Sequence, residues 1–265
     1  MALTQDQMIA REGKLTASRV AALMGGDKEE ILSLWRELCG DPQLVAPDLD
    51  DVWPVQLGAT TEKLNLDWYE RKNARVLTRR GEVVVHPDYP WAAATLDGFD
   101  PILNAPVETK HVGGFEKFDV IVQRYMPQMH WQMECTKTTS CILSAIEGAR
   151  QPRTEVISFN KEYADEMMSR AHKFMVHVWN MTPPVILDPV AAPVPVSAMR
   201  EYNMTGSNEF ASFASNWLQH KTAAKLFDEA VSGLKEITPN DAKRAYGYGI
   251  SIDRNKAGSL RIKPL

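Results

Sequence analysis

Three ionisable residues within a short span could do chemistry together. Asp97 closes the small apolar run AAATLDG, ten residues intervene, and Glu108-Thr109-Lys110 follows. Successive side chains of a strand point to opposite faces, so Glu108 and Lys110 project side by side while Thr109 points away. A hairpin pairing residues 92–97 with 106–111 brings the Asp97 carboxylate beside Glu108. Two carboxylates in one place repel unless a cation lies between them. Hard oxygen ligands with room for water suit Mg²⁺ or Mn²⁺. A neighbouring lysine can orient a metal-bound water or accept its proton. This is equipment for phosphodiester hydrolysis. The spacing alone also fits a plainer structure, a DG turn followed by a surface Glu/Lys pair.

Helices and strands must position these groups. Residues 16–25 (TASRVAALMG) read as a short helix that Thr16 or Ser18 can cap, and residues 31–38 as a second. Residues 41–54 are polar and proline-bearing, hence a loop. Residues 55–73 read as a long helix with Leu57, Leu64, Leu66 and Trp68 on its apolar side. The period then shortens. GEVVVHP, WAAATLDG and NAPVETKHV are runs of strand length. A helix over 120–135, strands over 140–146 and 155–159, and a helix over 161–181 complete an α/β layered domain. Five prolines crowd residues 183–195, which resists helix and central strand alike and suggests a connector wrapping the surface. Residues 208–236 are helical in pattern. GISID and SLRI flank an NKAG turn as a hairpin within 248–262. The domain reading is therefore 1–182 for the α/β domain, 183–196 for the connector and 197–265 for a C-terminal helix and hairpin extension.

Composition narrows the classes. The chain has 265 residues, 44% hydrophobic and 24% charged, an ordinary balance for a globular protein that excludes disordered, collagenous and coiled-coil classes. No window approaches 18 uncharged apolar residues, so no membrane span is expected, and the first residues lack the basic and apolar regions of a signal peptide. Cys39, Cys135 and Cys141 show neither CxxC nor zinc-finger spacing and read as reduced thiols. His130, His172 and His177 are not at metal-ligand spacing, and the seven tryptophans read as core. The net charge of −4 argues against nonspecific coating of nucleic acid, but the charge is uneven. Residues 27–51 carry eight acids against two bases, residues 71–80 carry five bases, and the last 23 residues carry six bases against one acid. Such basic patches remain compatible with a DNA substrate.

Five motifs in order carry a family resemblance: REGKLTAS (11–18), LGATTEK (57–63), TLDG (95–98), VETK (107–110) and YMPQMHWQM (125–133). Over residues 7–180 the chain resembles the phage lambda exonuclease and YqaJ viral recombinase group of the PD-(D/E)xK nucleases. The resemblance implies a restriction-endonuclease-like core, a central mixed sheet flanked by helices. It implies Asp97 and Glu108 as metal ligands, with Glu62 and the Thr109 backbone carbonyl beside them, Lys110 as the catalytic lysine and Gln128 lining the site. Arg11 and Ser18 would hold the 5′-phosphate of a DNA end. The family's SPD appears here as Thr95-Leu96-Asp97, which keeps a hydroxyl able to contact phosphate at Thr95. Thr109 replaces an aliphatic residue and, facing the other side of the sheet, should have little catalytic effect. Without the resemblance, Glu62 fits a solvated helix acid, Ser18 a helix cap, Arg11 a surface arginine and Gln128 a cap for local backbone.

The implied activity is a Mg²⁺-dependent 5′→3′ double-strand DNA exonuclease, Mn²⁺ substituting, with one or two ions per site. It would release 5′-mononucleotides and leave 3′ overhangs for phage recombination by strand annealing. Implied partners are double-stranded DNA ends, a single-strand annealing protein and two further copies in a homotrimer ring, in the cytoplasm of a bacterial host. A structure-specific endonuclease on the same core and a non-catalytic DNA-end-binding module are the alternatives; the 5′-phosphate pocket speaks against the first and the intact Asp97, Glu108 and Lys110 against the second.

Overall fold

The computed structural model describes residues 4–45, 51–195, 198–255 and 258–265. The chain divides into two compact units, Met1–Met199 and Arg200–Leu265. In the first unit α1 (Gln5–Arg11) leads through β1 (Leu15–Thr16) into α2 (Ala17–Gly25), then α3 (Lys28–Leu38) and α4 (Trp53–Asn73). Strands β2 (Val83–Val85), β3 (Ala92–Thr95), β4 (Gly98–Asp100) and β5 (Ala105–Val112) precede α5 (Phe118–Thr136). Strands β6 (Ser140–Glu147) and β7 (Arg153–Ser158) and helix α6 (Lys161–Trp179) follow.

Two sheets meet at the centre of this unit. One has the order β4-β5-β6-β7, with β5 and β6 parallel and the outer pairs antiparallel. The other has the order β1-β3-β2. Helix α4 covers one face of the larger sheet: Leu66 and Tyr69 pack with Val107 and Ile142. Helices α5, α2 and α6 cover the opposite side with the main core, which includes Val20, Leu23, Met129, Trp131, Leu143 and Met167. Strand β5 is buried along nearly its whole length, as expected for an interior strand covered on both faces. The fully buried Trp131 donates its indole N–H to the Ala93 carbonyl at 2.9 Å and so ties α5 to β3. Pro127 lies inside α5, where it removes one backbone donor without ending the helix.

The proline-bearing stretch belongs to the first unit. Val190 donates to the Met24 carbonyl at 2.9 Å, and Arg170 Nη1 to the Asp188 carbonyl at 2.6 Å. Gly26, which caps α2 at φ 71°, is required there twice over. Its backbone is left-handed, and a Cβ would come within 2.8 Å of the Leu187 carbonyl oxygen.

Several expectations need correction. Strand β3 does not pair with residues 106–111; it pairs parallel with β1 and antiparallel with β2, and the hairpin partner of β5 is β4, with Gly98 opposite Val107. The turn at Leu96-Asp97 carries the chain from one sheet to the other, which periodicity within a single run cannot reveal. On α4, Leu64 is exposed, and Leu66 and Tyr69 make the buried face. Thr16 occupies the N-cap of α2 without a side-chain capping bond. Its hydroxyl oxygen faces Arg11 Nη2 at 3.5 Å instead.

The second unit consists of α7 (Asn208–Glu236) and an antiparallel meander of β8 (Arg244–Gly247), β9 (Ile250–Arg254) and β10 (Leu260–Pro264). The strand β8 was not foreseen. Lys256 and Ala257 of the NKAG turn lie outside the described residues, as do residues 46–50 of the expected loop. Among the described residues no helix is long and apolar enough to cross a membrane.

Candidate active site

The junction of the two sheets is where the reactive groups collect. A cavity of about 370 Å³ opens there, and Glu62, Asp97, Glu108, Lys110 and Gln128 line it together with Arg11, Ser18 and Thr95. All of the side chains expected at a catalytic and 5′-phosphate site thus face one space. Thr109 is the exception among the expected site residues, since it does not line the cavity.

Glu108 is the most enclosed of these groups, at 1% exposure. A buried carboxylate must be hydrogen-bonded. Oε1 accepts from Lys110 Nζ and, at 2.6 Å, from Gln128 Nε2, while Oε2 accepts from Gln132 Nε2 at 2.5 Å. Gln128 and Gln132 stand four residues apart on α5 and so present one face to the strand. Burial and then the charge of Asp97 push the Glu108 carboxyl upward, against the opposing pull of Lys110. Burial works against the Lys110 ammonium, but the charges of Glu108 and Asp97 outweigh it and hold the proton on nitrogen. The Lys110 ammonium also lies 4.9 Å from the Tyr125 ring centroid.

Asp97 reaches β5 from the edge of the smaller sheet. Its Oδ2 accepts from both the backbone N–H and the hydroxyl of Thr109, each at 2.8 Å. Thr109 points away from Glu108 and Lys110, as strand alternation requires, and its side chain stays out of the cavity. It nevertheless meets Asp97, which stands at the sheet junction and not in a hairpin with β5, and which lines the cavity together with Glu108 and Lys110.

Arg11 ends α1 and turns its guanidinium into the cavity. Nη1 donates to the Thr95 hydroxyl at 3.3 Å and Nη2 to that of Thr16 at 3.5 Å. Both partners are neutral. Burial, followed by the charge of Arg19, lowers the Arg11 pKa from its usual value. By contrast, Arg80, which also lines the cavity, is paired with Glu70 at 2.9 Å and Asp67 at 3.3 Å. Two contributors escaped sequence reasoning. Gln132 sat in the motif YMPQMHWQM without an assigned role, and its i, i+4 relation to Gln128 was the available signal. Arg80 was visible only as one member of a basic run.

Could these residues hold a divalent cation? Among the described residues no three His, Cys, Asp or Glu side chains are gathered closely enough to form a complete cage. Mg²⁺ does not demand one, because it keeps several waters and is commonly held by one or two carboxylates plus substrate phosphate. Two mutually repelling carboxylates, with Glu62 lining the same cavity, are a donor set of that kind. The fit is to a hard, oxygen-seeking ion.

Residues 8–139 match the model of the YqaJ-like viral recombinase domain. This stretch of the chain is a YqaJ-like viral recombinase domain. The match contains every motif from Arg11 to Gln132. Among solved structures the chain is similar to an alkaline exonuclease from Laribacter hongkongensis, at 20% identity and a TM-score of 0.57, covering 67% of this chain and 94% of that one. A structure of the same exonuclease in complex with dAMP gives 20% identity and a TM-score of 0.55 over the same shares. A phage-related exonuclease from Haemophilus somnus gives 13% identity and a TM-score of 0.50, covering 63% and 94%. No curated protein matches the chain. At these identities the structural likeness establishes the fold. The YqaJ-like domain has the mixed α/β, restriction-endonuclease-like architecture of these exonucleases.

Proposed function

We propose that the chain is a Mg²⁺-dependent double-strand DNA exonuclease that proceeds 5′→3′, releases nucleoside 5′-monophosphates and leaves 3′ single-stranded overhangs for recombination by annealing. The observation that carries this reading is the convergence of Asp97, Glu108 and Lys110 with Arg11 and Thr95 in one cavity. The first three are hydrolytic equipment, and the last two are equipment for recognising a phosphate. The YqaJ-like domain and the fold shared with exonucleases support it.

In this reading Asp97 and Glu108 hold Mg²⁺ or Mn²⁺, with Glu62 and the Thr109 carbonyl completing the shell through water or directly. The bound ion would supply Lewis-acid activation of the scissile phosphate and of its attacking water. Lys110, held as an ammonium between Glu108 and the Tyr125 ring, donates hydrogen bonds that orient the water for in-line attack. Gln128 and Gln132 fix the Glu108 carboxylate so that it does not swing onto Lys110 alone. Hydrolysis breaks the bond from phosphorus to the 3′ oxygen of the terminal nucleotide, leaving that nucleotide with a 3′ hydroxyl and the next with a new 5′-phosphate. Arg11 receives the 5′-phosphate: its fork is held by two neutral hydroxyls, so its charge is left for the ligand. Ser18 and Thr95 complete this pocket. The partners in this reading are linear duplex ends, a single-strand annealing protein and a homotrimer ring, acting in a bacterial cytoplasm.

The test is digestion of linear duplexes bearing 5′-phosphate or 5′-hydroxyl ends, with and without Mg²⁺, beside a covalently closed circle. Mononucleotide release only with Mg²⁺, faster from phosphorylated ends, is expected. Cleavage of the closed circle would instead establish an endonuclease, and no cleavage of any substrate would leave an end-binding module.

A further inference from the structure

The three-stranded meander of the second unit has two unlike faces. Residues directly opposite one another on antiparallel strands share a face. Ala245, Ile252 and Ile262 make an apolar row on one side, with Ile252 buried. The other side carries two rows, Arg244-Asp253-Arg261 and Tyr246-Ser251-Lys263. A sheet face left to water is normally polar. This one sets a tyrosine in its second row, and Tyr246 is 78% exposed. The turn from β8 to β9 adds a second ring. Gly247 pairs with Ile250, so Tyr248 and Gly249 form the turn, at φ 50° and 82°. Asparagine-glycine fills a turn with two positive φ values most readily, and a tyrosine in its first position is strained. Tyr248 is fully exposed, so packing does not offset that strain.

We infer that this face of the meander is a platform for single-stranded DNA, whose bases stack on Tyr246 and Tyr248 while its phosphates meet the neighbouring cations. Charge selects a polyanion. The face sets three cations against one carboxylate: Asp253 meets Arg244 Nε at 3.3 Å and Lys263 Nζ at 2.5 Å, and among the described residues no acid pairs with Arg261. The rings select unpaired bases. Stacking on an aromatic side chain suits any base, because every base has a π face. A duplex keeps those faces inside its own stack and offers phosphate alone. An acidic peptide would use the cations and leave both rings without a flat partner. A third observation lies between the ring and the ammonium of the second row. Ser251 is fully buried, and its hydroxyl has no hydrogen-bond partner. A phosphate or base oxygen drawn in beside Lys263 would satisfy it. The choice of DNA follows from the recombinase domain in the same chain. The inference concerns the second unit alone and does not depend on the proposed nuclease reaction.

The test is fluorescence anisotropy on the full chain with a labelled oligo-dT of about 12 nucleotides, a length within the usual site size for such platforms. Chelator is present and the oligonucleotide ends in a 5′-hydroxyl. Both the metal and the phosphate of the proposed nuclease cavity are thereby withheld, so failure here and failure of the nuclease reading are distinct results. Tyr246→Ala and Tyr248→Asn should each weaken binding at least about fivefold. Tyr246→Phe keeps the ring and should stay within about twofold of the parent. Tyr248→Asn suits the turn better than tyrosine does, so it should lose affinity while the melting temperature holds or rises. Arg261→Gln should flatten the slope of log affinity against log salt by about 0.7. A blunt duplex of the same length should bind both tyrosine variants within about twofold of the parent. Parental oligo-dT affinity in either Tyr246→Ala or Tyr248→Asn would overturn the inference. So would an equal loss for the duplex, or Tyr246→Phe as damaging as Tyr246→Ala, since the rings would then not be stacking on bases.

Discussion

The contact between Thr109 and Asp97 allows a sharp test of how the proposed metal site is built. Two donors of one residue, N–H and hydroxyl, fall on the same oxygen of Asp97 at 2.8 Å each. Thr109→Val keeps the shape of the side chain and the amide donor but deletes the hydroxyl. A hydrogen bond to a charged group contributes about 1.5–3 kcal/mol. Because the amide remains and Asp97 is only half-buried, the lower figure applies, and about 1.5 kcal/mol corresponds to roughly tenfold in an equilibrium constant. We therefore expect the Mg²⁺ concentration for half-maximal hydrolysis to rise about tenfold, with the rate at saturating Mg²⁺ within about threefold of the parent. Calorimetric Mn²⁺ binding, which needs no turnover, should weaken by the same factor. In the presence of chelator the melting temperature should fall by about 3–6 °C, from about 2–4 °C per kcal/mol in a unit of this size. Thr109→Ser retains the donor and should restore metal binding to within about threefold of the parent. Parental metal binding in Thr109→Val would refute the reasoning. So would Thr109→Ser being as damaging as Thr109→Val, because the methyl group and not the hydroxyl would then be the part that matters.

Asp97→Ala should remove hydrolysis and leave the fold intact, as judged by mononucleotide release and circular dichroism. More than a few per cent of parental activity would exclude Asp97 from the reaction. Glu108→Gln should be equally inactive, whereas Glu108→Ala should also lower the melting temperature, because it leaves the polar ends of Lys110, Gln128 and Gln132 without their shared acceptor; equal melting temperatures for the two variants would contradict the hydrogen-bond assignment. Lys110→Ala should stop turnover yet keep Mn²⁺ binding measurable by calorimetry, since an ammonium is not a ligand; loss of binding would make its role structural. Arg11→Ala should erode the rate advantage of 5′-phosphorylated over 5′-hydroxyl ends, and an unchanged ratio of initial rates would place the phosphate pocket elsewhere.

How much of this was legible in the sequence depends on the range of the signal. Helices α3, α5, α6 and α7 follow from local period, and α7 begins and ends where its pattern does. The alternation within VETK placed Glu108 and Lys110 on one face because that is a property of two residues on one strand. The position of Asp97 was not local. It depends on Leu96-Asp97 crossing between sheets and on Gly98 lying close under Leu66 and Leu77, where a Cβ would meet side-chain atoms at 3.2–3.3 Å. A hairpin joining 92–97 to 106–111 was the simplest pairing available, and it put β3 in the place that β4 takes beside β5. The two-residue strand β1 is too short to show a period and exists only because β3 offers it an edge. Gln132 was hidden for a different reason: a buried glutamine in an apolar helix looks like a flaw until the carboxylate that needs it is placed opposite.

The same distinction bears on how an acidic chain could carry the proposed site for a polyanion. Net charge is a property of the whole surface, but recognition at the cavity depends on which cations are already neutralised. Arg80 and Lys63 both line the cavity, and both are paired with acids of α4, Lys63 with Asp67 at 2.6 Å and Arg80 with Asp67 and Glu70. For these residues an incoming phosphate must compete with a carboxylate that is already in place, so the gain is small. Arg11 is placed differently. Its guanidinium is oriented by the hydroxyls of Thr95 and Thr16, which accept hydrogen bonds without carrying charge. Orientation and neutralisation are thereby separated: the fork is held in place, yet among the described residues no carboxylate within hydrogen-bonding distance cancels its charge. Burial, which lowers its pKa, is the cost of keeping that charge uncompensated, and a phosphate entering the cavity would relieve it. The Thr95 hydroxyl thus links the two halves of the cavity. It anchors Arg11 at the end of the strand β3, two residues before Asp97, so a phosphate taken up by Arg11 would be held at a fixed distance from the acids.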